Sequence, residues 1–179
     1  MKLIIRSLCA ATAAAAILAL TGCAAPANKE QMEAAPLTTA KRHPYTLSVQ
    51  AQGGAETGAM DSSNIANTDL KAAIEASIAK SQLFKAIVPG KDGDYELNVS
   101  ITQLSKPAMG FSFTVDMECA WSLTKVSDRS VAMRKVIRST HTAGATEAFV
   151  GAKRLQLAVE GAVRNNIAQG LKALADLPL

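Results

Sequence analysis

From Phe111 to Leu123 every second residue is apolar: Phe111, Phe113, Val115, Met117, Cys119, Trp121 and Leu123 alternate with Ser112, Thr114, Asp116, Glu118 and Ser122. Successive side chains of a strand point to opposite faces, so this pattern fits a strand with one buried and one wet face and does not fit a helix. The rest of the chain must therefore supply a layer to cover the apolar face.

Further strands follow from the same period. Tyr45, Leu47 and Val49 alternate with Thr46, Ser48 and Gln50, and Tyr95, Leu97, Val99 and Ile101 alternate with Glu96, Asn98, Ser100 and Thr102. Leu83 to Val88 predicts a short strand stopped by Pro89-Gly90, and Ser127 to Ser130 predicts a hairpin turn into a strand over 131–142 whose weaker alternation suggests a bulge. Gln52 to Ser63, rich in Gly, Ser and Ala, reads as a flexible loop. Two segments supply the covering layer. Asn67 or Thr68 caps a helix carrying Leu70, Ile74 and Ile78, running to about Gln82. After Gly144 the period becomes 3.6, with Phe149, Leu155, Val159, Val163, Ile167, Leu171 and Leu174 on one stripe and Arg154, Glu160, Arg164, Asn165 and Lys172 facing away. Lys153 and Arg154 would oppose the dipole of a helix starting at Ala152, so its expected start is Thr146. The order β-α-β-β-β-β-α predicts an α+β two-layer sandwich, a mostly antiparallel sheet of four or five strands with two helices on one face.

The 179 residues fit one domain, and 19% charged residues argue against wholesale disorder. Nineteen Lys and Arg against fifteen Asp and Glu give a net charge of +4; without Lys2 and Arg6, in the segment expected to be removed, seventeen against fifteen leave about +2, so near neutral that it offers no case for nucleic-acid binding. The chemistry-bearing residues are sparse. His43 and His141 have no nucleophile or ligand set around them in the sequence, so no metal and no cofactor is expected. Cys119 sits on the apolar face, where a thiol behaves as a small hydrophobe. Asp116 and Glu118 share the polar face of their strand, with Arg134 and Arg138 across the hairpin as ion-pair partners. Trp121 is expected in the core. The apolar loop Met109-Gly110-Phe111-Ser112-Phe113 is the candidate for binding, through Met109, Phe111 and Phe113.

The N-terminus carries an address. Lys2 and Arg6 precede an alanine-rich apolar stretch that ends in Leu20-Thr21-Gly22-Cys23, the layout of an export signal. Those four residues match the lipobox, and the chain here resembles a bacterial lipoprotein. The resemblance implies cleavage before Cys23, diacylglycerol on its thiol and acylation of the new amino terminus, palmitate included. Ala24 stands where an aspartate commonly retains such proteins in the inner membrane, which implies the outer membrane, facing the periplasm. Residues 1–22 are then signal peptide, 23–42 the lipidated cysteine with a flexible tether, and 43–179 one α+β periplasmic domain. With Cys9 removed and Cys23 acylated, Cys119 has no partner for an intrachain disulfide. A tether of that length spans about 25 Å on average and would let the domain stand off the membrane.

The domain also resembles, over about 130 residues, small envelope lipoproteins such as the curli-secretion lipoprotein and the activators of penicillin-binding proteins. The likeness rests on the helix exit Ser81-Gln82-Leu83-Phe84, the strand Asp94-Tyr95-Glu96-Leu97-Asn98-Val99, and Ala162-Val163-Arg164-Asn165-Asn166-Ile167. The pore-forming insertions of the secretion lipoprotein are missing, so channel activity is not implied. The expected function is a non-enzymatic binding or assembly module of the cell envelope, held to the membrane by the lipid on Cys23 and engaging an envelope protein. The alternative is a periplasmic carrier of a lipid or other apolar ligand, which would need an apolar cavity.

Overall fold

The computed structural model describes residues 25–38, 41–58 and 61–179; residues 1–22, expected to be a signal peptide, and Cys23 lie outside them. In chain order the elements are α1 (Lys29–Met32), β1 (His43–Gln52), α2 (Asn67–Ser81), β2 (Phe84–Ile87), β3 (Tyr95–Ser105), β4 (Phe113–Lys125), β5 (Val131–Ala143) and α3 (Gly151–Ala175). The strands form one sheet in the order β2-β1-β3-β4-β5, backed on one face by α2 and α3, which is the expected two-layer α+β sandwich. The pairing is mixed. β1 runs parallel to both β2 and β3, while β3, β4 and β5 are successive antiparallel neighbours.

Two bulges keep the apolar side chains in phase. On β3, Ile101 pairs with Cys119 and Gln103 with Glu118, so Thr102 is the extra residue and Leu104 returns to the inner face opposite Met117. On β5 the shift lies opposite Leu123 and Thr124, making Ala132 the extra residue.

The core lies between sheet and helices. Leu47, Val49, Leu97, Val99, Val115, Met117, Cys119, Trp121 and Leu123 of the sheet meet Leu70, Ile74 and Ile78 of α2 and Val159, Val163, Ile167, Leu171 and Leu174 of α3, all buried. At its centre the Trp121 indole N–H donates to Asn166 Oδ1 at 2.9 Å. Asn166 Nδ2 in turn donates to the Ile137 carbonyl at 2.9 Å, and Ser139 Oγ donates to the Ala162 carbonyl at 2.8 Å. Gly170 makes room for the indole: a Cβ there would lie 2.3 Å from Trp121 Cη2. Asn165, expected to face away from the protein, donates to the Thr140 carbonyl, and Gln169 to the Arg138 carbonyl. These amides occupy main-chain acceptors of the edge strand β5 that another strand could otherwise use.

The expected flexible tether is corrected by the fold over residues 25–38. Asn28 caps α1, its side chain accepting from the main-chain N–H groups of Glu30 and Gln31. Ala27, Met32 and Ala34 are buried in the common core. The Ala34 N–H donates to Ser77 Oγ and the Leu37 N–H to Ser81 Oγ, both at 3.0 Å, while Arg164 donates to the Gln31 carbonyl and Lys80 pairs with Glu33. This segment is a strap across α2 and α3. His43, the first residue after the expected tether, is buried at the start of β1, with Nε2 2.9 Å from the Leu174 carbonyl.

Two helix ends also differ from expectation. α2 has no side-chain cap; its N-cap is Ala66, and Asn67 Oδ1 instead accepts from the Gly54 N–H at 2.8 Å. That bond, with Ala55 N–H to the Ile65 carbonyl at 3.0 Å, ties down part of the loop expected to be flexible. α3 starts at Gly151 rather than Thr146, because residues 144–147 close a turn in which the Gly144 N–H donates to Glu147 Oε1.

Removing the central indole should cost most. Trp121→Ala is expected to lose about 3–5 kcal/mol, and Gly170→Ala about 1–3 kcal/mol through overpacking, both read as urea midpoints at constant slope. A neutral Gly170→Ala would mean that α3 can move off the sheet and that the indole does not set their spacing.

Candidate functional site

The loops β3–β4 (residues 106–112) and β5–α3 (residues 144–150) lie side by side at one end of the sandwich. Arg154, in the first turn of α3, ties them together. Its Nη1 donates to the carbonyls of Ala148 and Phe149, both at 2.8 Å, and its Nη2 reaches the Gly110 carbonyl at 3.4 Å. The guanidinium also sits over the Phe113 ring, 5.6 Å from its centroid. This explains how α3 tolerates a cation in its first turn: Arg154 reaches back to loop carbonyls on both sides instead of facing the helix N–H groups.

Of the three apolar residues expected to bind a partner, Met109 and Phe111 are 84% and 91% exposed, but Phe113 is buried. The correction has a simple cause. β4 starts at Phe113, whose inward side chain belongs to the core, whereas Gly110 at φ +157° and the bends around it carry Phe111 out of the sheet. Phe149, read from the sequence as the start of the α3 stripe, precedes the helix together with Val150, and the two are 97% and 61% exposed beside the same loop. The sequence conceals them because the apolar spacing of 3.6 runs through Phe149 without a break.

The strap begins at this end. The Ala25 carbonyl accepts from Ser63 Oγ at 2.8 Å, and the Pro26 carbonyl from Gln156 Nε2 at 2.8 Å. Lys106, three residues before Met109, donates to the Ser63 carbonyl at 2.9 Å and to Asn64 Oδ1 at 2.6 Å. Burial lowers the Lys106 ammonium from its ordinary value, with Asp61 opposing the shift. Cys23, the expected lipidation residue, lies outside the described residues but only two positions before Ala25.

Glu160, expected to face solvent, is buried beneath the strap. Its Oε1 accepts from the Asn28 N–H at 2.9 Å, and its Oε2 has no hydrogen-bond partner in the structure. Burial pushes this carboxyl above the ordinary range, against the opposing effects of the Asn28 N–H, Lys153, Gln156 and Arg164.

Glu118 and Cys119 of β4 and His141 of β5 are engaged in the fold. Glu118 accepts from Arg138 Nε at 2.7 Å and from Thr102 Oγ1 at 2.9 Å, which hold its carboxyl below the usual range. Asp116 pairs in register with Thr140 and Arg134 with Ser122, so of the two expected cross-strand ion pairs the Glu118–Arg138 pair is formed. Burial pushes the Cys119 thiol up to about 12, far from a reactive thiolate. The His141 ring packs on Gly161, where a Cβ would lie 2.0 Å from its Cδ2. Among the described residues no group of three His, Cys, Asp or Glu side chains is placed to hold a metal ion.

Several depressions mark the surface. One of about 720 Å³ is lined by Arg42, His43, Pro44, Gln82, Phe84 and Lys85, and one of about 440 Å³ on the outer sheet face by Asp116, Glu118, Arg138 and Thr140.

No protein-family description matches this sequence, and no curated protein matches it. Solved structures do share its fold. A Xanthomonas campestris protein of the DUF330 family, 11% identical, superposes with a TM-score of 0.63 over 80% of this chain and 90% of that one. PelC of Paraburkholderia phytofirmans, solved as a dodecamer, is 14% identical with a TM-score of 0.50 over 80% and 94%. A minor lipoprotein from Acinetobacter baumannii is 8% identical with a TM-score of 0.45 over 73% and 90%. The likeness is one of fold, and the neighbours include bacterial lipoproteins.

The sign of the Glu160 shift makes a prediction. A carboxyl whose folded pKa is raised stabilises the fold fully only below its unfolded value of about 4.3, and that contribution is lost as pH rises through the folded value. Glu160→Gln should therefore be at least as stable as the parent at pH 7, with any advantage vanishing below about pH 4. Urea midpoints at the two pH values test this; a destabilised Gln variant at pH 7 would mean that the ionised carboxylate's attraction to Lys153 and Arg164 outweighs its burial.

Proposed function

We propose that the chain is an outer-membrane lipoprotein, exported by residues 1–22, acylated on Cys23, and facing the periplasm, where its domain serves as a non-enzymatic binding or assembly module. The observation that carries this reading is the complete lipobox Leu20-Thr21-Gly22-Cys23 at the end of an apolar export segment, directly ahead of a folded domain. Stable anchoring needs more than one acyl chain, each buried CH₂ adding about 0.8 kcal/mol, and the lipoprotein modification supplies them.

The uses of the polar side chains support a module over an enzyme. His43, Asn166, Glu118, Arg138 and Arg154 each hold one element against another, and the Cys119 thiol is buried in apolar surroundings. A ligand carrier is less well supported. The layer between sheet and helices is filled by Trp121, Leu97, Leu123, Ile167 and Leu174, and the depression of about 720 Å³ carries Arg42 and Lys85 on its wall. PelC, which has the same fold, is solved as a dodecamer, which is in keeping with assembly as the domain's work.

Expression of the full chain in a Gram-negative host provides the test. Cys23→Ser should accumulate as unprocessed precursor without acyl label, whereas the parent should carry label and fractionate with the outer membrane. Acyl label on the Ser variant, or cleavage of the parent at another position to a free amino terminus, would overturn the reading.

A further inference from the structure

We infer that the apolar end of the sandwich is a membrane-contact surface: Met109 and Phe111 of the β3–β4 loop, with Phe149 and Val150 of the β5–α3 loop, enter the interfacial layer of the bilayer that holds the acyl chains on Cys23. The inference rests on the lipoprotein reading for the identity of the anchor, and on the fold for everything else.

Four large apolar side chains, each at least 61% exposed, come together from two loops at one end of the molecule. Among the described residues the other large exposed apolar side chains are Val131, at the start of β5 toward the opposite end of the sheet, and Val136, on the outer face of β5. A water-facing group of this size marks a contact with another phase or molecule. The loops are also held in place, since Arg154 binds carbonyls in both and lies over the buried Phe113 ring, so the apolar side chains need little ordering on contact.

The point where the chain enters the fold selects the bilayer as the occupant. The Ala25 carbonyl is bonded to Ser63, whose own carbonyl is bonded to Lys106 at the root of the Met109 loop, and Pro26 is bonded to Gln156 near the start of α3. Only Ala24 separates Ala25 from Cys23, and two residues of extended chain reach about 7 Å at most. An acylated Cys23 is thereby confined to the same end as the exposed Phe111 and Phe149. A long free tether would have left the domain's orientation open. The strap removes that slack, and the membrane plane then lies across the end that is already apolar. Such side chains partition into the headgroup and acyl boundary in proportion to the apolar area they bury.

The test uses the full chain, purified from membranes and reconstituted in vesicles of phosphatidylethanolamine and phosphatidylglycerol with or without brominated acyl chains. Tryptophan is placed at Phe111→Trp or Phe149→Trp, with Val136→Trp as control and the parent, whose Trp121 is buried, as baseline. Mass spectrometry of the same samples reads the acyl groups, and urea midpoints confirm that each variant folds. Blue-shifted emission that is lost in brominated vesicles at positions 111 and 149, but not at 136, is the expected result. Acylated protein with both probes unquenched would overturn the contact and leave the lipoprotein reading standing. Quenching of a chain that carries no acyl group would support the contact and overturn the anchor. Self-association abolished by Phe111→Ser with Phe149→Ser, together with unquenched probes, would give the surface to a second copy of the chain instead.

Discussion

The geometry of this domain depends on one insertion: the Trp121 indole, on the central apolar run of β4, enters the space left by Gly170 on α3 and bonds to Asn166 one turn earlier on the same helix. Packing alone would let a helix slide or rotate over an apolar sheet face, since dispersion and burial have little directionality. A buried N–H that must find an acceptor does not allow this. Asn166 is itself held by the Ile137 carbonyl, so one side chain ties β4, β5 and α3 together. The rotation it imposes on α3 also brings Asn165 and Gln169 over the carbonyls of β5, which blunts one edge of the sheet, and brings Glu160 under the strap.

The strap is held by a different kind of contact. Its apolar contribution is modest in size, Ala27, Met32 and Ala34 with Leu37 alongside, but its main-chain groups are bonded to side chains of both helices: Glu160, Gln156 and Arg164 from α3, Ser77 and Ser81 from α2. A buried carboxylate with one unpartnered oxygen is costly on its own. Here Asn28, Lys153 and Arg164 offset part of the cost, so the strap and α3 depend on each other for the satisfaction of polar groups. Charge on Glu160 is thus linked to how firmly residues 25–38 lie on the helices.

The distribution of contact types accounts for what could be read from the sequence. The β4 alternation, the helical stripe of Leu155 to Leu174 and the burial of Trp121 are legible because apolar contacts repeat with the period of the element that makes them. The strap is not, because it touches the core at Ala27, Met32 and Ala34 with no period and is otherwise held through its backbone. The same reason explains Glu160 and Asn165: a polar residue on a helix reads as solvent-facing unless its partner is known, and both partners lie more than twenty residues away. At the apolar end, Met109 and Phe111 stand out as unpaired apolar residues between breakers. Phe113 shares their parity but belongs to the core, and Phe149 shares the helix period but lies outside the helix. Period marks which side of an element a residue is on, and it carries no mark for where the element stops.

A folded strap changes what a lipid anchor does for a domain. On a loose tether the anchor sets only local concentration, and every face of the domain is presented in turn. With residues 25–38 held on the helices, an anchor at the proposed Cys23 would set orientation as well, and the faces would divide into those turned to the membrane and those left free. The free faces are then the outer sheet surface carrying Asp116, Glu118 and Arg138, and the hollow beside β2 lined by Arg42, Gln82 and Lys85. The outer sheet surface presents three charged side chains, which favours steering and specificity, whereas the hollow sets Arg42 and Lys85 beside Ile78, Phe84 and Ile87. The two edges of the sheet differ as well: β5 has carbonyls engaged by α3, and β2 is only four residues long. Neither invites the addition of a long strand. On the proposed reading, a protein partner in the periplasm would meet this domain through one of these free faces, with the membrane fixing its angle of approach.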